Sequence, residues 1–132
     1  MDYISENHSK HLLICHLIFV CKYRKKLLVH LGEYIKHETQ NISNHYGWEI
    51  IEQEIDKDHI HILIRYSPKW SVLQIVRLLK QQTTYRAWEH YCDYLSTHFW
   101  KERTFWSDGY FSCSIGNVSQ EIIKKYIETQ GK

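Results

Sequence analysis

The order of elements legible in the chain, β-α-β-β-α-β followed by one more helix, predicts an α+β fold. The plan is the ferredoxin-like, split β-α-β antiparallel sheet with an extra C-terminal helix. Three observations predict it. Residues 11–21 are almost continuously apolar, the pattern of a central strand covered on both faces. His59 to Tyr66 alternates cleanly, with Ile60, Ile62 and Ile64 on one side and His59, His61 and Leu63 on the other. Two longer stretches carry apolar residues at helical spacing, and crossover helices in this plan cover one face of the sheet.

The elements follow in order. After the first strand comes a basic run, Lys22-Tyr23-Arg24-Lys25-Lys26. Leu31, Tyr34, Ile35, Glu38, Ile42 and Tyr46 then recur at helical spacing, and Gly47 is a stop. Trp48 to Asp56 reads as the second strand, Lys57-Asp58 as a tight turn and His59 to Tyr66 as the third strand. Pro68 breaks the chain, and Ser71 with Gln74 forms a capping-box signature. Val72, Ile75, Val76 and Leu79 make a helical stripe that continues toward Trp88. Residues 92–109 read as irregular and aromatic. Phe111, Cys113 and Ile115 alternate with Ser112 and Ser114 as a fourth strand, and Gly116 is a turn residue. Asn117 or Ser119 caps a last helix whose apolar side is Val118, Ile122, Ile123, Tyr126 and Ile127. The isoleucine side of the third strand should face the crossover helices, which leaves His59 and His61 on the open face.

The chain has 132 residues, enough for one domain, 1–132, around one core. A hydrophobic fraction of 43%, with 14% aromatic, argues against disorder. The formal net charge is only +2, too weak to argue nucleic-acid binding from bulk charge, so any basic footprint is local. The four cysteines lack C-x-x-C spacing, which leaves a zinc knuckle unsupported. Three of them fall in apolar or aromatic stretches and read as buried small hydrophobes, consistent with a reducing compartment. The longest apolar run, Leu12 to Val20, is interrupted by His16, is too short to span a bilayer and lacks a signal-peptide layout. A soluble cytoplasmic protein without a membrane partner is expected.

The chemistry is carried by a few side chains. On a strand, residues i and i+2 share a face about 6.5–7 Å apart, so the imidazoles of His59 and His61 converge on one side and can grip one metal ion. Tyr126 and Gln130 are four residues apart, neighbours on one face of a helix. Two imidazoles, one amide oxygen and one phenol suggest metal-assisted attack of a tyrosine on a phosphodiester. Each residue also has a plainer reading. His-Ile-His is common on half-buried strands, Tyr126 suits the edge of an amphipathic stripe, and Gln130 suits a fraying end. Lys124, Lys125 and the run at 22–26 suit solvated surfaces. Asp56-Lys57-Asp58 is a hairpin turn that could also orient an imidazole.

Taken together, the segments resemble the single-tyrosine HUH transposases, the TnpA-type enzymes of the smallest bacterial and archaeal insertion sequences, where U is a hydrophobic residue. Phe19-Val20-Cys21-Lys22-Tyr23-Arg24-Lys25-Lys26 resembles the family's strand-end segment. Asp56-Lys57-Asp58-His59-Ile60-His61-Ile62-Leu63 resembles its HUH strand, and Trp106 to Phe111 its approach to strand four. Gly116-Asn117-Val118 and Ile123-Lys124-Lys125-Tyr126-Ile127-Glu128-Thr129-Gln130 resemble its nucleophile helix. The chain departs from the family twice: Cys21 stands where a proline is expected, and Lys80-Gln81-Gln82-Thr83-Thr84 lacks a glycine and an extra lysine.

The resemblance implies metal ligation by His59, His61 and Gln130 and nucleophilic attack by Tyr126. A phenol with a pKa of about 10 needs help at neutral pH, and a divalent ion polarises the scissile phosphate. Two His and one amide oxygen suit Mn²⁺, with Mg²⁺ favoured by its abundance. The implied reaction expels a 3′-hydroxyl, leaves a 5′-phosphotyrosine and rejoins the strand when another 3′-hydroxyl attacks. The implied partners are single-stranded DNA with hairpin ends and a second subunit, in a homodimer whose active site is shared through the terminal helix. Lys22, Arg24, Lys25 and Lys26, with Lys124 and Lys125 beside the tyrosine, are the expected phosphate contacts. Two other classes compete: an inactive single-stranded nucleic-acid-binding module of the same fold, and a phosphohydrolase with a water nucleophile.

Overall fold

Strand β3 (Leu13–Val20) is hydrogen-bonded on both sides. It sits inside a four-stranded antiparallel sheet ordered β4 (Glu49–Ile55), β5 (His59–Tyr66), β3, β6 (Phe111–Ser114). The computed structural model describes residues 4–6, 9–11, 13–114 and 120–130, with side chains described for 13–114 and 124–129. Helix α1 (Leu28–Tyr46) joins β3 to β4, and α2 (Val72–His90) leads from β5 toward β6. A terminal helix, α4 (Gln120–Gln130), follows. This is the α+β, split β-α-β arrangement the sequence predicts, with both crossover helices on one sheet face.

Burial explains why the faces differ. Ile60, Ile62 and Ile64 are fully buried, together with Leu17 and Phe19 of β3 and Leu31, Ile35, Ile75 and Leu79 of the helices. Each such side chain contributes about 1.5–3 kcal/mol on leaving water. A one-residue slip of β5 would expose all three isoleucines and bury both histidines, so the register is strongly fixed. On the helix side, Thr39 of α1 donates to Gln53 of β4 at 2.6 Å. The local signals work as read. Gly47 closes α1 at φ +80, a left-handed conformation that glycine adopts without strain. Ser71 and Gln74 form a complete capping box at 2.9 and 3.1 Å.

Four features depart from the sequence reading. The first predicted strand, 11–21, is matched by β3 over Leu13–Val20, whereas His11 belongs to β2 (Ser9–His11), which pairs antiparallel with β1 (Ile4–Glu6) in a separate sheet. The stretch 92–109 is not wholly irregular, because Cys92–Ser96 forms a short helix, α3. Cys15 and Cys21 are buried but Cys92 and Cys113 are half-buried, so two cysteines rather than three are core residues. The basic run opens as a 3-10 turn, Lys22–Arg24, in which Tyr23 and Arg24 adopt φ +59 and +52. Left-handed backbone costs a non-glycine residue about 1–2 kcal/mol, so tertiary bonds must hold it. Cys21 N–H donates to Asp58 O at 2.8 Å, and Lys22 N–H to Phe105 O at 2.8 Å. Proline, expected at position 21, could not make the first of these bonds.

The predicted caps at Asn117 or Ser119, the turn at Gly116, Ile115 and the apolar side at Val118, Ile122 and Ile123 lie outside the residues with described side chains. No helix among the described residues is long and apolar enough to cross a membrane.

Candidate active site

The face of the sheet turned away from α1 and α2 carries His59, His61, Leu63 and Arg65 of β5 beside His16 and Ile18 of β3 and Phe111 of β6. The register is set by Ile18, which pairs with His61 on one side and with Phe111 on the other. The sequence-predicted histidines therefore do share the open face. A pocket of about 350 Å³ there is lined by His16, His59 and His61 and by the carboxylates Glu52, Glu54 and Asp56. No lysine or arginine among the described residues lines it.

Each histidine is held by a neighbour. His59 Nδ1 lies 2.9 Å from Asp58 Oδ1, and Arg24 Nε donates to Asp58 Oδ2 at 3.1 Å. Asp58 thus joins the strained turn to the histidine. Burial opposes ionisation of Asp58, but the bonds from His59 and Arg24 outweigh it and hold the carboxyl below its ordinary range. The Asp58 contact leaves His59 Nε2 free. His61 Nε2 lies 2.8 Å from His16 Nδ1. Burial, and next the adjacent His16, push the His61 pKa down, which keeps the ring neutral and able to donate a lone pair at neutral pH.

Tyr126 packs against Phe111 with ring centroids 5.6 Å apart, on the same sheet face as the histidines. β6 and β5 are separated by β3, so the phenol and the imidazoles sit over strands about 9–10 Å apart. The phenol oxygen is buried and has no hydrogen-bond partner among the described residues. Burial, and next Tyr110, raise its pKa. Helix α4 also reaches the histidine edge: Lys124, Ile127 and Glu128 line a cleft of about 550 Å³ with Arg24, Lys26, Asp58 and His59. The side chain of Gln130 lies outside the described residues, so the structure does not place it.

The six basic residues divide. Lys26, Lys124 and Lys125 are exposed, and Lys26 and Lys124 face the cleft. Lys22 is paired with Asp108 at 3.5 Å, and the Lys25 ammonium lies over the Phe99 ring at 5.9 Å. Arg24 is committed to Asp58, so in this state it positions the turn beside His59. Lys80, in the departing segment of α2, is spent internally, donating to the carbonyls of Ser107, Asp108 and Gly109 at 2.7, 3.2 and 3.0 Å. His16, like Glu52 and Glu54, lines this pocket without having been selected by the sequence reading. Its signal was visible, since it is the one imidazole interrupting the apolar run from Leu12 to Val20.

The chain matches the family described as "Transposase IS200 like" over residues 9–130. It belongs to that family of IS200-like transposases. The ISDra2 transposase TnpA of Deinococcus radiodurans is 29% identical over 116 residues, covering 87% of this chain and 81% of that protein. The transposase for insertion sequence element IS200 of Salmonella typhimurium is 29% identical over 118 residues, covering 87% and 74%. Two solved structures share the fold. A crystal structure of a candidate transposase from D. radiodurans R1 has a TM-score of 0.87 at 23% identity and covers 96% of this chain and 97% of that one. A REP-associated tyrosine transposase bound to a REP hairpin has a TM-score of 0.58 at 14% identity, covering 96% and 70%.

Proposed function

We propose that this IS200-like transposase cleaves and rejoins single-stranded DNA by transesterification on Tyr126, through a 5′-phosphotyrosine. The observation that carries the reading is the shared sheet face. His59 and His61 open into a carboxylate-rimmed pocket, and the helix bearing Tyr126 packs on that same face. The plain alternatives explain one element each. A solvated strand histidine needs no second imidazole beside it, and a boundary tyrosine needs no adjoining histidine cleft.

The donor set fits a divalent cation, Mg²⁺ or Mn²⁺. Among the described residues no three His, Cys, Asp or Glu side chains form a complete metal nest. His59 and His61 would hold the ion as two neutral nitrogen donors, with Gln130 as the third protein ligand and the remaining positions open. Such an ion supplies charge neutralisation of the scissile phosphate. The surrounding carboxylates favour a cation and repel a bare phosphodiester. Asp58 and Arg24 fix the His59 ring, while Lys26 and Lys124 face the cleft that a DNA backbone would follow. The phenol of Tyr126 must give up its proton and move out of its apolar packing to attack, expelling a 3′-hydroxyl. A second 3′-hydroxyl then attacks the tyrosyl ester, so the bond energy is kept and no nucleotide cofactor is required. The substrate in this reading is single-stranded DNA with a hairpin end.

Incubation with end-labelled single-stranded DNA and Mn²⁺ tests the reading. A covalent protein–DNA band should form and should vanish in Tyr126→Phe, whose stability should hardly change because the lost hydroxyl has no described partner. An adduct mapped to another tyrosine would overturn the assignment. The reading includes a homodimer in which α4 of each subunit serves the histidines of the other. Tyr126 packs on Phe111 over β6, one strand removed from β5, so either its own helix shifts toward His59 and His61 or the helix of a second subunit serves them. Mixing His59→Ala with Tyr126→Phe under conditions of subunit exchange should restore cleavage, and persistent inactivity despite proven exchange would sink the shared site.

A further inference from the structure

We propose that His16 is a positioning residue for His61, fixing its ring and tautomer so that one nitrogen, Nδ1, is left free to take a cation. The inference rests on the metal reading above and deepens it. The two rings lie with centroids 5.0 Å apart and tilted by 37°, and His16 Nδ1 is 2.8 Å from His61 Nε2. That is a hydrogen bond at ordinary length, and only one partner can carry its proton. If His16 donated, the neutral His61 ring would carry its own proton on Nδ1 and could offer no lone pair to the pocket. When His61 donates from Nε2, His16 accepts and His61 Nδ1 is the bare nitrogen. Cation binding therefore selects the arrangement in which His16 is the acceptor.

The two histidines of the strand are thus served by different devices. Asp58 takes His59 at Nδ1 and leaves Nε2, whereas His16 takes His61 at Nε2 and leaves Nδ1. The backbone under His16 is well suited to this duty. His16 is on β3, paired with Leu63 on one side and Cys113 on the other, so its Cα is fixed by strands on both flanks. A ring-fixing neighbour of a metal-binding histidine typically sustains a 10–100-fold difference in metal affinity.

Mn²⁺ affinity of the full chain, read by the loss of the free-ion EPR signal, separates the possibilities. The variants are His61→Ala, His16→Leu and His16→Asn. Leucine fills the space without an acceptor. Asparagine places an amide oxygen close to the position of the imidazole Nδ1. His16→Leu should weaken Mn²⁺ binding by about 10–100-fold, and His16→Asn should recover most of it. The melting temperature of each metal-free protein is recorded alongside. Wild-type uptake that is lost in His61→Ala but unchanged in His16→Leu overturns the role of His16 while leaving the metal reading standing. Equal losses in the leucine and asparagine variants at unchanged melting temperature overturn it as well, since the acceptor would then not matter. A wild-type chain that takes up no Mn²⁺ sinks the metal reading itself, and the inference with it.

Discussion

Asp58→Asn keeps the shape of the side chain and removes its charge, and the structure sets the size of the effect. The carboxylate accepts from His59 Nδ1 at 2.9 Å and from Arg24 Nε at 3.1 Å, with the Asp58 side chain 13% exposed and that of Arg24 44% exposed. A hydrogen bond to a charged group is worth about 1.5–3 kcal/mol, and the low end applies beside solvent. The Arg24 pair, being half in water, adds about 0.2–1 kcal/mol. Asparagine retains one acceptor, so the expected net loss is about 1–2 kcal/mol, a fall in Tm of roughly 3–8 °C. The sign with pH follows from the depressed carboxyl pKa. The stabilisation is fully present above the ordinary value of 3.8 and is lost as pH falls through the lower folded-state value. The Tm gap between wild type and variant should therefore be constant at neutral pH and should close as pH falls below 3.8 through the depressed folded-state value. Mn²⁺ affinity should drop by about 10-fold, the low end of the range for a perturbed ring-fixing neighbour, because the remaining amide oxygen is a weaker acceptor for His59 Nδ1 than the carboxylate. A variant with wild-type Mn²⁺ affinity and a Tm gap unaffected by acid would refute the idea that Asp58 orients His59.

Two further substitutions probe the frame around the site. Cys21→Pro matches the backbone, since Cys21 already has φ −63, but it deletes the 2.8 Å bond to Asp58 O and drives the ring into that carbonyl. Thermal melts should show a loss of about 1–3 kcal/mol rather than the ~0.4–1 kcal/mol gain of a compatible proline, and stabilisation would show that the Cys21–Asp58 bond is dispensable. Lys80→Met removes the ammonium that three carbonyls share; burial already pushes the Lys80 pKa down, so part of the gain is spent on desolvation. A net loss of about 2–3 kcal/mol in denaturant titration is expected, and an unchanged midpoint would mean that water replaces the lysine without cost.

The sheet and its faces were legible because β5 writes its geometry into a period of two. Three isoleucines alternate with two histidines and a leucine, and only one placement buries the former. The helix ends were legible for a similar reason, since Ser71-x-x-Gln74 and Gly47 act through bonds a few residues long. The β1–β2 pairing was not legible, because Ile4–Glu6 and Ser9–His11 carry little apolar alternation and no glycine lies near them in sequence. Nor were the duties of Arg24 and Lys80, which read as solvent-facing charges. Their partners, Asp58 and the carbonyls of residues 107–109, lie 27 to 34 residues away and enter only through tertiary packing.

His16 marks the boundary between these cases most sharply. Its identity and its place in an apolar strand are in the sequence, but its contact with His61 depends on the register of β3 against β5. Those strands are not joined by a turn; α1 and β4 intervene, so no loop length fixes their alignment. The register comes from burial instead. Leu17 must pair with Ile62 and Phe19 with Ile60 if both strands are to cover the helices with apolar residues on one face. That pairing sets Ile18 opposite His61 and leaves His16 one step along, diagonal to it on the open face. A slip of two residues would keep the same faces inside and out, yet would set His16 opposite His61 or opposite Arg65 in place of that diagonal. The contact that holds the His61 ring is therefore fixed by the fit of the core behind it, which is why a reading of motifs finds the two histidines of β5 and passes over the third.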